Sequence, residues 1–445
     1  MIKVITYGTY DMLHYGHIRL LERAKALGDY LIVGVTSDTY DQMRGKINVQ
    51  QSLTERIEAI KSCGLADEII IEEYEGQKIE DIKRYDVDIF AIGSDWKGKF
   101  DYLNEYCKVV YLERTNGVSS SQLRAEERKL SIGIVGNSFN VMSKFITESS
   151  YVNGIEMRGV CTQKKEGLPQ GLNKLSIVTN DFDELLNEVD AIYLVTHPTE
   201  HYIQIKNALL KGKHMLCESP LAVERKECKE LFELARQNHC ILMESIKTAY
   251  ALAFNRLNLL VKTGTIGDVV SVDATCTSLR NIAANSESGI KKWGSLHSWG
   301  PYALLAVFSI LGVDYLNKSI QTRVLADDYD LFTKISFIYE KAVASIKVGN
   351  GVKSEGELII SGTKGYIYVP APWWKTDYFE VRYENPQENK RYFYQLEGEG
   401  IRYMMVSFLK SVKKGKPETY IPENITYAIS GIMEDYSNKL DTTTI

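Results

Sequence analysis

The chain has 445 residues, 44% hydrophobic and 25% charged, which is typical of a globular protein and too long for a single compact core. The net charge of −5 argues against a general nucleic-acid binder, since such proteins carry a basic surplus, and no apolar run is long enough to span a bilayer. Seven cysteines without a C-x-x-C pair, after an N-terminus that does not resemble a signal peptide, favour a reduced cytoplasmic protein without membrane or nucleic-acid partners.

Strand patterns alternate with helical patterns in the first quarter of the chain. Strands are predicted at Lys3–Tyr7, Tyr30–Val35, Glu68–Ile71, Ile89–Ile92 and Val109–Leu112. Helices are predicted at His17–Leu27, Leu53–Cys63 and Lys78–Tyr85. This alternation predicts a parallel, Rossmann-like sheet with helices on both faces.

A second series begins after the charged stretch Glu126–Lys129. Its predicted strands are Ser131–Gly136, Glu156–Cys161, Ala191–Thr196, His214–Cys217 and Cys240–Glu244. Beyond Lys247 the strands become longer and alternate polar with apolar residues, as in Val269–Ser278, Leu331–Tyr339 and Ala342–Val348, and a glycine turn at Gly362–Gly365 joins two of them. We therefore expect an α/β protein with three domains: residues 1–128, a second Rossmann domain at 129–247, and an α+β domain with an open, largely antiparallel sheet at 248–445.

The segment Gly8–His17 reads GTYDMLHYGH and joins the first strand to the first helix. The small residues let backbone N–H groups approach an anion, and the helix beginning near Gly16 directs its positive end to the same place. His14 and His17 can converge on one point, where two imidazole donors would stabilise charge on a transferring phosphorus. Both histidines could be ordinary surface or core residues, but two of only seven within four positions favour a phosphate-handling site.

This segment resembles the H-x-G-H signature of cytidylyltransferase-like nucleotidyltransferases, and in particular of the glycerol-3-phosphate cytidylyltransferase family. The similarity continues through residues 17–38, 93–103 and 109–124. The last of these resembles the R-T-x-G-[IV]-S-[ST] pattern, which favours cytidylyl over adenylyl transfer. An adenylyltransferase is the weaker alternative.

The resemblance implies a role for each matching residue. CTP and its phosphates would be bound by Thr9, Tyr10, Asp11, His14, Gly16 and His17. Lys46 would neutralise the triphosphate, and Arg44 and Lys78 would hold the phosphate of the acceptor. Asp95 and Trp96 would lie near the ribose. The segment that would close over CTP contributes Arg114, on a phosphate, Thr115, Gly117, Ser119, at a helix N-terminus, Ser120 and Ser121.

Two departures from the family pattern leave the loop geometry and the choice of acceptor open. Arg44 stands where the family commonly has lysine, and one residue is inserted between Lys46 and Arg56. Taken singly, Arg44, Lys46 and Lys78 could be solvated charges. The implied reaction is an in-line attack of the acceptor phosphate on the α-phosphorus of CTP, assisted by Mg²⁺ on the triphosphate, with His14, His17, Lys46 and Arg114 as catalytic residues. Ribitol 5-phosphate is the alternative acceptor to glycerol 3-phosphate, and the sequence does not specify metal ligands.

A weaker fingerprint follows the strand at Ser131–Gly136. Gly136 occupies the first glycine of the G-x-G-x-x-G/A pattern, but Ser138 replaces the second glycine and Val141 the third. The next strand ends at Thr162 without an acidic residue for the ribose hydroxyls. This either disfavours NAD or leaves room for the 2′-phosphate of NADP, for which Lys164 and Lys165 are near.

Further segments resemble the Gfo/Idh/MocA oxidoreductases over about residues 130–440. They are residues 196–201, 208–214, 216–222, 243–247, 264–268, 298–302 and 362–365. The resemblance implies a Rossmann domain followed by an open-sheet domain used for homo-oligomerisation. It also implies NAD or NADP as cofactor, bound by Gly136, Asn137, Ser138, Phe139, Thr196, His197, His201 and Glu218, with Tyr302 as acid/base.

Two departures weigh against redox activity. The lysine of the family's E-K-P motif is Ser219, and the aspartate of its D-x-G-x-[HY] motif is Ser298. Tyr302 would need a neighbouring positive charge to lower its pKa, and Lys247 is a candidate. His201, Glu218 and His214 could equally be structural. Two hypotheses remain: a fusion enzyme that makes and activates a polyol phosphate for capsule or teichoic-acid-like polymers, or a transferase with an inactive dinucleotide-fold module.

Overall fold

The computed structural model describes residues 1–113, 128–164, 166–279, 294–325 and 329–445. The chain forms two compact units, Met1–Lys129 and Leu130–Ile445. Within the described residues no helix is both apolar enough and long enough to cross a membrane.

The first unit is built on a five-stranded parallel sheet with the order β3-β2-β1-β4-β5. Its strands are β1 (Lys3–Gly8), β2 (Tyr30–Thr36), β3 (Glu68–Glu72), β4 (Ile89–Gly93) and β5 (Lys108–Leu112). Side chains alternate across the sheet, so Val4 packs with Leu21 on one face while Ile5 packs with Phe90 on the other. Both faces are therefore buried, as a parallel sheet requires.

Within residues 1–113, four helices flank the sheet. They are α1 (Tyr15–Lys25), α2 (Asp38–Met43), α3 (Leu53–Cys63) and α4 (Gln77–Tyr85). A capping box starts α3, in which Ser52 and Glu55 each bond the other's backbone N–H. The helix α1 begins two residues earlier than predicted because His14 caps it.

The second unit begins with a six-stranded parallel sheet of order β11-β10-β9-β6-β7-β8. Its strands are β6 (Leu130–Gly136), β7 (Ile155–Cys161), β8 (Ile177–Thr179), β9 (Ala191–Val195), β10 (His214–Glu218) and β11 (Leu242–Ser245). The helices of this region are α5 (Phe139–Ser149), α6 (Phe182–Glu188), α7 (Pro198–Leu210) and α8 (Arg225–Gln237).

The remainder of the second unit carries a nine-stranded mixed sheet of order β19-β18-β17-β16-β12-β15-β14-β13-β20. Its strands are β12 (Val269–Ser278), β13 (Asn317–Val324), β14 (Asp330–Ile338), β15 (Val343–Asn350), β16 (Leu358–Gly362), β17 (Tyr366–Val369), β18 (Tyr378–Arg382), β19 (Lys390–Phe393) and β20 (Thr442–Thr444). The helices here are α9 (Leu252–Lys262), α10 (Ser295–Leu311), α11 (Ile401–Lys414) and α12 (Glu423–Ser437). The apolar α10 packs on β12, β14 and β15 and buries one face of the sheet.

The predicted fold class is confirmed: two parallel Rossmann-like sheets are followed by a mixed open sheet. The third sheet is largely antiparallel, but β12 pairs with β15, and β13 with β20, in parallel. The glycine turn at residues 362–365 joins β16 to β17 as predicted. The short helix α2 was not predicted, because a six-residue helix shows little periodicity.

Candidate functional site

The first site lies where β1 ends and α1 begins. Tyr10 and Met12 have φ angles of 54° and 52°, so the chain turns sharply through left-handed conformations. The Tyr10 side chain is buried, and its ring lies edge-on to His17 with centroids 5.5 Å apart. This turn fixes both the start of α1 and the position of its first side chains. The order of the sheet changes direction between β1 and β4, and ligands of open α/β sheets bind at such a switch point.

His14 and His17 are stacked, with ring centroids 3.8 Å apart and an interplanar angle of 21°. His14 is the N-cap of α1, and its Nδ1 accepts a hydrogen bond from the Gly16 N–H at 3.1 Å. An accepting Nδ1 leaves the proton of the neutral ring on Nε2, which is then a donor. Burial, followed by the nearby His14 and Lys46, lowers the pKa of His17 to about 3. His17 is therefore neutral at physiological pH.

Beside the histidines, a buried carboxylate organises two cations. The Asp41 Oδ1 accepts hydrogen bonds from the Thr9 hydroxyl at 2.8 Å and from Arg44 at 2.9 Å. Lys46 donates to the same Thr9 hydroxyl at 3.0 Å. Burial lowers the pKa of Lys46, and the Asp41 carboxylate opposes that shift. Thr9, Arg44 and Lys46, which the sequence assigned to the substrates, thus belong to one network.

Arg56 belongs to this network but was not among the predicted site residues. It is fully buried in α3 and donates to the backbone carbonyls of Thr9 at 2.6 Å and Thr36 at 2.8 Å. Its guanidinium lies 3.5 Å from Asp41. From the sequence, Arg56 is an arginine in the middle of a predicted amphipathic helix. That position does not indicate that its side chain is buried. Arg56 ties together the ends of β1 and β2, where the candidate site lies.

Asp11 holds the neighbouring loop. Its carboxylate accepts the backbone N–H groups of Gln50 at 3.0 Å and Gln51 at 2.9 Å, and the side chain is 3% exposed. These bonds position the loop that follows Lys46, and the contact of Asp11 with CTP stays a prediction.

Lys78 approaches the site from α4. Its ammonium forms a buried ion pair with Glu72 and lies 4.7 Å from the ring centroid of Tyr7 and 5.4 Å from that of Phe100. Burial lowers the pKa of Lys78, opposed by Glu72, while Arg44 adds to the lowering. The binding of one acceptor phosphate by Arg44 and Lys78 together stays a prediction.

Asp95 and Trp96 form a short 3₁₀ helix at residues 94–96, directly after β4. The ring centroids of Trp96 and Phe100 are 5.8 Å apart, and the Lys99 ammonium lies 5.0 Å from the Trp96 ring centroid. The remaining predicted residues of this site lie outside the described residues. They are Arg114, Thr115, Gly117, Ser119, Ser120 and Ser121.

This arrangement can stabilise a phosphoryl group without a nucleophilic side chain. Neutral imidazole donors stand at the helix start, and Arg44, Lys46, Arg56 and Lys78 supply positive charge partly balanced by Asp41 and Glu72. Donors held in place by a folded site stabilise developing charge more effectively than mobile water. Among the described residues no group of three or more acidic, histidine or cysteine side chains could hold a metal ion.

The second candidate site lies at the turn between β6 and α5. Gly136 has a φ of 150°, and a Cβ there would meet the Val195 carbonyl oxygen at 2.5 Å, so only glycine fits. Ser138 is the N-cap position of α5 but makes no side-chain cap, and Phe139 begins the helix. The Asn137 side chain accepts from the Thr162 hydroxyl at 2.8 Å, which joins this turn to the end of β7. The cradle fits the backbone approach that a dinucleotide pyrophosphate needs.

Three predicted cofactor residues lie after β9. The Thr196 hydroxyl donates to Gln204 at 2.6 Å, and His197 is the N-cap residue of α7 with its Nδ1 2.7 Å from Thr199. His201 is fully buried, and its two ring nitrogens face the carbonyls of Pro220 at 3.0 Å and Thr196 at 3.2 Å. These contacts hold two loops together, and the role of His201 in cofactor binding stays a prediction.

Glu218, at the end of β10, is the centre of a polar network. Its Oε1 accepts from the Tyr193 and Ser245 hydroxyls, the latter at 2.8 Å. Burial raises the pKa of the Tyr193 phenol, and Glu218 and then Tyr302 add to the rise, which places Tyr302 of α10 near this network. Ser219, at the position of the family lysine, donates instead to the buried Glu244 at 2.5 Å.

His214 and Ser298 complete the set of predicted positions in the second unit. The His214 Nδ1 accepts the backbone N–H of Ile241 at 3.0 Å, so it bridges two strands. Ser298 lies in the first turn of α10, four residues before Tyr302. One helical turn therefore separates the two motif positions on the same face.

Comparisons with known proteins identify a family for each of the two units. Residues 5–126 match the cytidylyltransferase-like family, and residues 130–246 match an oxidoreductase family with an NAD-binding Rossmann fold. The glycerol-3-phosphate cytidylyltransferase of Bacillus spizizenii is 50% identical over 130 residues, 29% of this chain and the whole of that protein. The enzyme of the same name from Staphylococcus aureus is 45% identical over 126 residues, 28% of this chain and 95% of that protein.

For the second unit, a solved structure gives the fold. A 3-ketoreductase from Actinomadura kijaniata, in complex with NADP and TDP-benzene, superposes with a TM-score of 0.62 at 16% identity, over 72% of this chain and 99% of that one. The chain therefore belongs to the cytidylyltransferase-like family through its N-terminal unit, a nucleotidyltransferase, which is fused to a Gfo/Idh/MocA-type oxidoreductase domain with an NAD-binding Rossmann fold.

Proposed function

We propose that the first unit transfers the cytidylyl group of CTP to glycerol 3-phosphate, giving CDP-glycerol and pyrophosphate. The observation that carries this proposal is the stacked pair of imidazoles, 3.8 Å apart at the N-terminus of α1, with the His14 Nδ1 accepting the Gly16 N–H. The relative from Bacillus spizizenii, which is matched over the whole of its own length, is named for the same activity.

In this reaction a phosphate oxygen of the acceptor attacks the α-phosphorus of CTP, and the bond to pyrophosphate breaks. His14 and His17 donate hydrogen bonds to the α-phosphate oxygens, on which charge grows. Lys46 neutralises the triphosphate, and Arg44 and Lys78 hold the acceptor phosphate in line. A bound Mg²⁺ would neutralise and orient the triphosphate oxygens.

A matrix of nucleotides against alcohol phosphates tests this assignment. CTP and ATP are each combined with glycerol 3-phosphate and ribitol 5-phosphate, and pyrophosphate release is measured. We expect the highest kcat/KM for CTP with glycerol 3-phosphate. Higher turnover with ribitol 5-phosphate would identify that compound as the acceptor. A preference for ATP over CTP would show that the enzyme transfers an adenylyl group.

For the second unit we propose a reductase or dehydrogenase that uses NAD or NADP on a related sugar or polyol phosphate. Residues 129–247 would bind the dinucleotide, with its pyrophosphate at the Gly136 turn, and residues 248–445 would bind substrate and mediate oligomerisation. The cofactor would supply or accept a hydride when bound. Tyr302, near Tyr193 and Glu218, would move the proton at the substrate oxygen.

An inactive dinucleotide-fold module is the second candidate for this unit. Ser219, turned towards Glu244, and Ser298 favour it, because neither can supply the charge of the residue it replaces. The two candidates differ in whether the second unit reduces a substrate. A thermal shift with NADH or NADPH followed by reduction of dihydroxyacetone phosphate or ribulose 5-phosphate supports the enzyme, and cofactor binding without turnover across ketose phosphates supports the module.

We further propose that the fused enzyme acts as a homo-oligomer in the cytoplasm and supplies an activated polyol for capsule or teichoic-acid-like polymers. Joining the two activities would deliver the reduced product to the transferase. Size-exclusion chromatography with light scattering tests the oligomer, and a monomeric mass would contradict it.

A further inference from the structure

Three lysines from separate segments of the second unit converge on one carboxylate. Glu399 accepts hydrogen bonds from Lys375 at 2.7 Å, from Lys144 of α5 at 3.3 Å, and from Lys247, which follows β11. Burial raises the pKa of Glu399, but the hydrogen bonds from Lys247 and Lys375 outweigh it and bring the pKa to about 2. Three lysine ammonium groups thus surround the Glu399 carboxylate, next to Arg402, which pairs with Glu148 and Glu397.

The backbone that carries Glu399 is strained. Its φ is 53°, a left-handed conformation that is unfavourable for a residue other than glycine. Gly398 and Gly400, on either side, also have positive φ, and a Cβ on them would meet the Glu148 side chain at 1.9 Å and the Lys247 carbonyl at 2.6 Å. The two glycines allow the loop to pack closely, and the ion pairs with the lysines offset the strain at Glu399.

The lysine cluster is linked to the Glu218 network of the second candidate site through Lys247. Lys247 follows Ser245, whose hydroxyl binds Glu218, and the Glu218 carboxylate is among the charges that act on Lys247. The side chains of Lys375 and Lys144 are 37% and 45% exposed, and that of Glu399 is 29% exposed. A ligand can therefore reach the cluster from solvent.

We propose that Lys144, Lys247 and Lys375 bind the phosphate group of a phosphorylated ketose or polyol, and that the Glu399 carboxylate occupies their anion site until that phosphate displaces it. The inference rests on the oxidoreductase function proposed above and names its substrate class. A phosphate monoester fits because it offers several acceptor oxygens and up to two negative charges to the three lysines.

The 2′-phosphate of NADP is a less suitable occupant. The ribose that carries it is recognised at the end of the second strand of a Rossmann sheet, here β7. In the sheet order β11-β10-β9-β6-β7-β8, the strand before Lys247 is four positions from β7, about 19 Å at the usual strand spacing.

The test uses the full chain and a local measurement, because the transferase site also binds phosphates. Lysines are acetylated with and without glycerol 3-phosphate, and the modification of Lys144 and Lys375 is quantified by mass spectrometry. We expect protection of both by glycerol 3-phosphate and not by glycerol, while Lys211, paired with Asp183 elsewhere on the surface, is unaffected. Unchanged modification of Lys144 and Lys375 at saturating glycerol 3-phosphate would overturn the proposal.

Two variants separate an anion site from a structural ion pair. Glu399→Gln removes the competing anion and should lower the concentration of glycerol 3-phosphate that half-protects Lys144 on the order of tenfold. Lys375→Met should raise that concentration to a similar extent. A carboxylate that only braces the fold would give no gain with Glu399→Gln. The control is Glu380→Gln, since Glu380 also receives two cations, Arg382 at 2.6 Å and Arg391 at 3.1 Å, away from the cluster. If Glu399→Gln fails to fold, unchanged protection of Lys144 in Lys375→Met still contradicts the proposal.

The same measurements distinguish this inference from the proposed redox function. Protection of the lysines without binding or turnover of NADH and NADPH would retain the phosphate site and refute the oxidoreductase. Reduction of phosphorylated and unphosphorylated ketoses with equal kcat/KM, without protection, would retain the oxidoreductase and refute the phosphate site.

Discussion

The two strand-to-helix junctions, after β1 and after β6, place different chemistry on similar parallel sheets. At the first, His14 caps the helix with its own side chain and stacks on His17. At the second, Ser138 makes no cap, and Gly136 provides room by having no side chain at all. In the proposed function, the first junction would stabilise charge that forms during the reaction, and the second would provide space for a bound cofactor. The comparison teaches that side-chain donors distinguish the proposed catalytic junction, and an obligatory glycine the proposed binding junction.

The largest expected effect comes from removing an imidazole at the first junction. His17→Ala should lower kcat for CDP-glycerol formation by about 10²–10³, the usual effect of losing one charge-stabilising donor. The rate is measured by pyrophosphate release at saturating CTP and glycerol 3-phosphate.

His239→Ala, in the second unit, is the control for this variant. Its rate and the melting temperatures of both variants should match those of the unchanged protein. A His17→Ala rate within twofold of the original would remove the catalytic role from the paired imidazoles.

The matching change at the second junction is Gly136→Ala. The added Cβ would meet the Val195 carbonyl oxygen at 2.5 Å, so the turn must shift away from the position that a pyrophosphate needs. We expect the Kd of NADH or NADPH to rise about tenfold or more by fluorescence titration.

Gly171→Ala provides the control, because a Cβ there makes only an ordinary contact, 3.5 Å from Ile146. Cytidylyl transfer should be unchanged in both glycine variants. Equal cofactor affinity in Gly136→Ala and the original chain would mean that the cofactor does not use this turn.

A smaller, selective effect is expected at the acceptor phosphate. Arg44→Ala should raise the KM for glycerol 3-phosphate about tenfold and leave the KM for CTP nearly unchanged, since a charge-assisted contact contributes roughly 1.5–3 kcal/mol. Steady-state kinetics with each substrate varied in turn measure the two constants.

Arg19→Ala is a matched control, because Arg19 pairs with Glu22 three residues away at 2.6 Å, as Arg44 pairs with Asp41 at 2.9 Å. If Arg44→Ala raises both KM values equally, Arg44 acts on the whole site and not on the acceptor.

The smallest effect concerns pH. The pKa of about 3 for buried His17 lies below the ~6.5 of an exposed histidine, so between these values the unfolded chain binds a proton that the folded site does not. Stability therefore falls as pH is lowered from 7, by up to about 2 kcal/mol at pH 5 from this group. The melting temperature of the first unit should fall less between pH 7 and 5 in His17→Asn than in the original chain, and equal falls would show that His17 titrates normally.

The sequence predicted local features better than contacts between distant residues. His14 and His17 lie in one segment, so their spacing was sufficient to predict that they meet, and the helix Leu53–Cys63 forms with its predicted bounds. Arg56 and Asp41 meet only after the ends of β1 and β2 come together, so their burial could not be predicted from local sequence patterns. Glu399 is 152 residues from Lys247, and its position depends on two glycines in left-handed conformations. Pro301 lies inside α10, where sequence rules would end a helix.

The most direct test of the central claim is a crystal structure of the full chain with CTP and Mg²⁺. The account predicts the α-phosphate at the N-terminus of α1, with its oxygens within about 3.2 Å of the Nε2 atoms of His14 and His17. An α-phosphate bound away from both rings, or a nucleotide absent from this junction at saturating CTP, would contradict it.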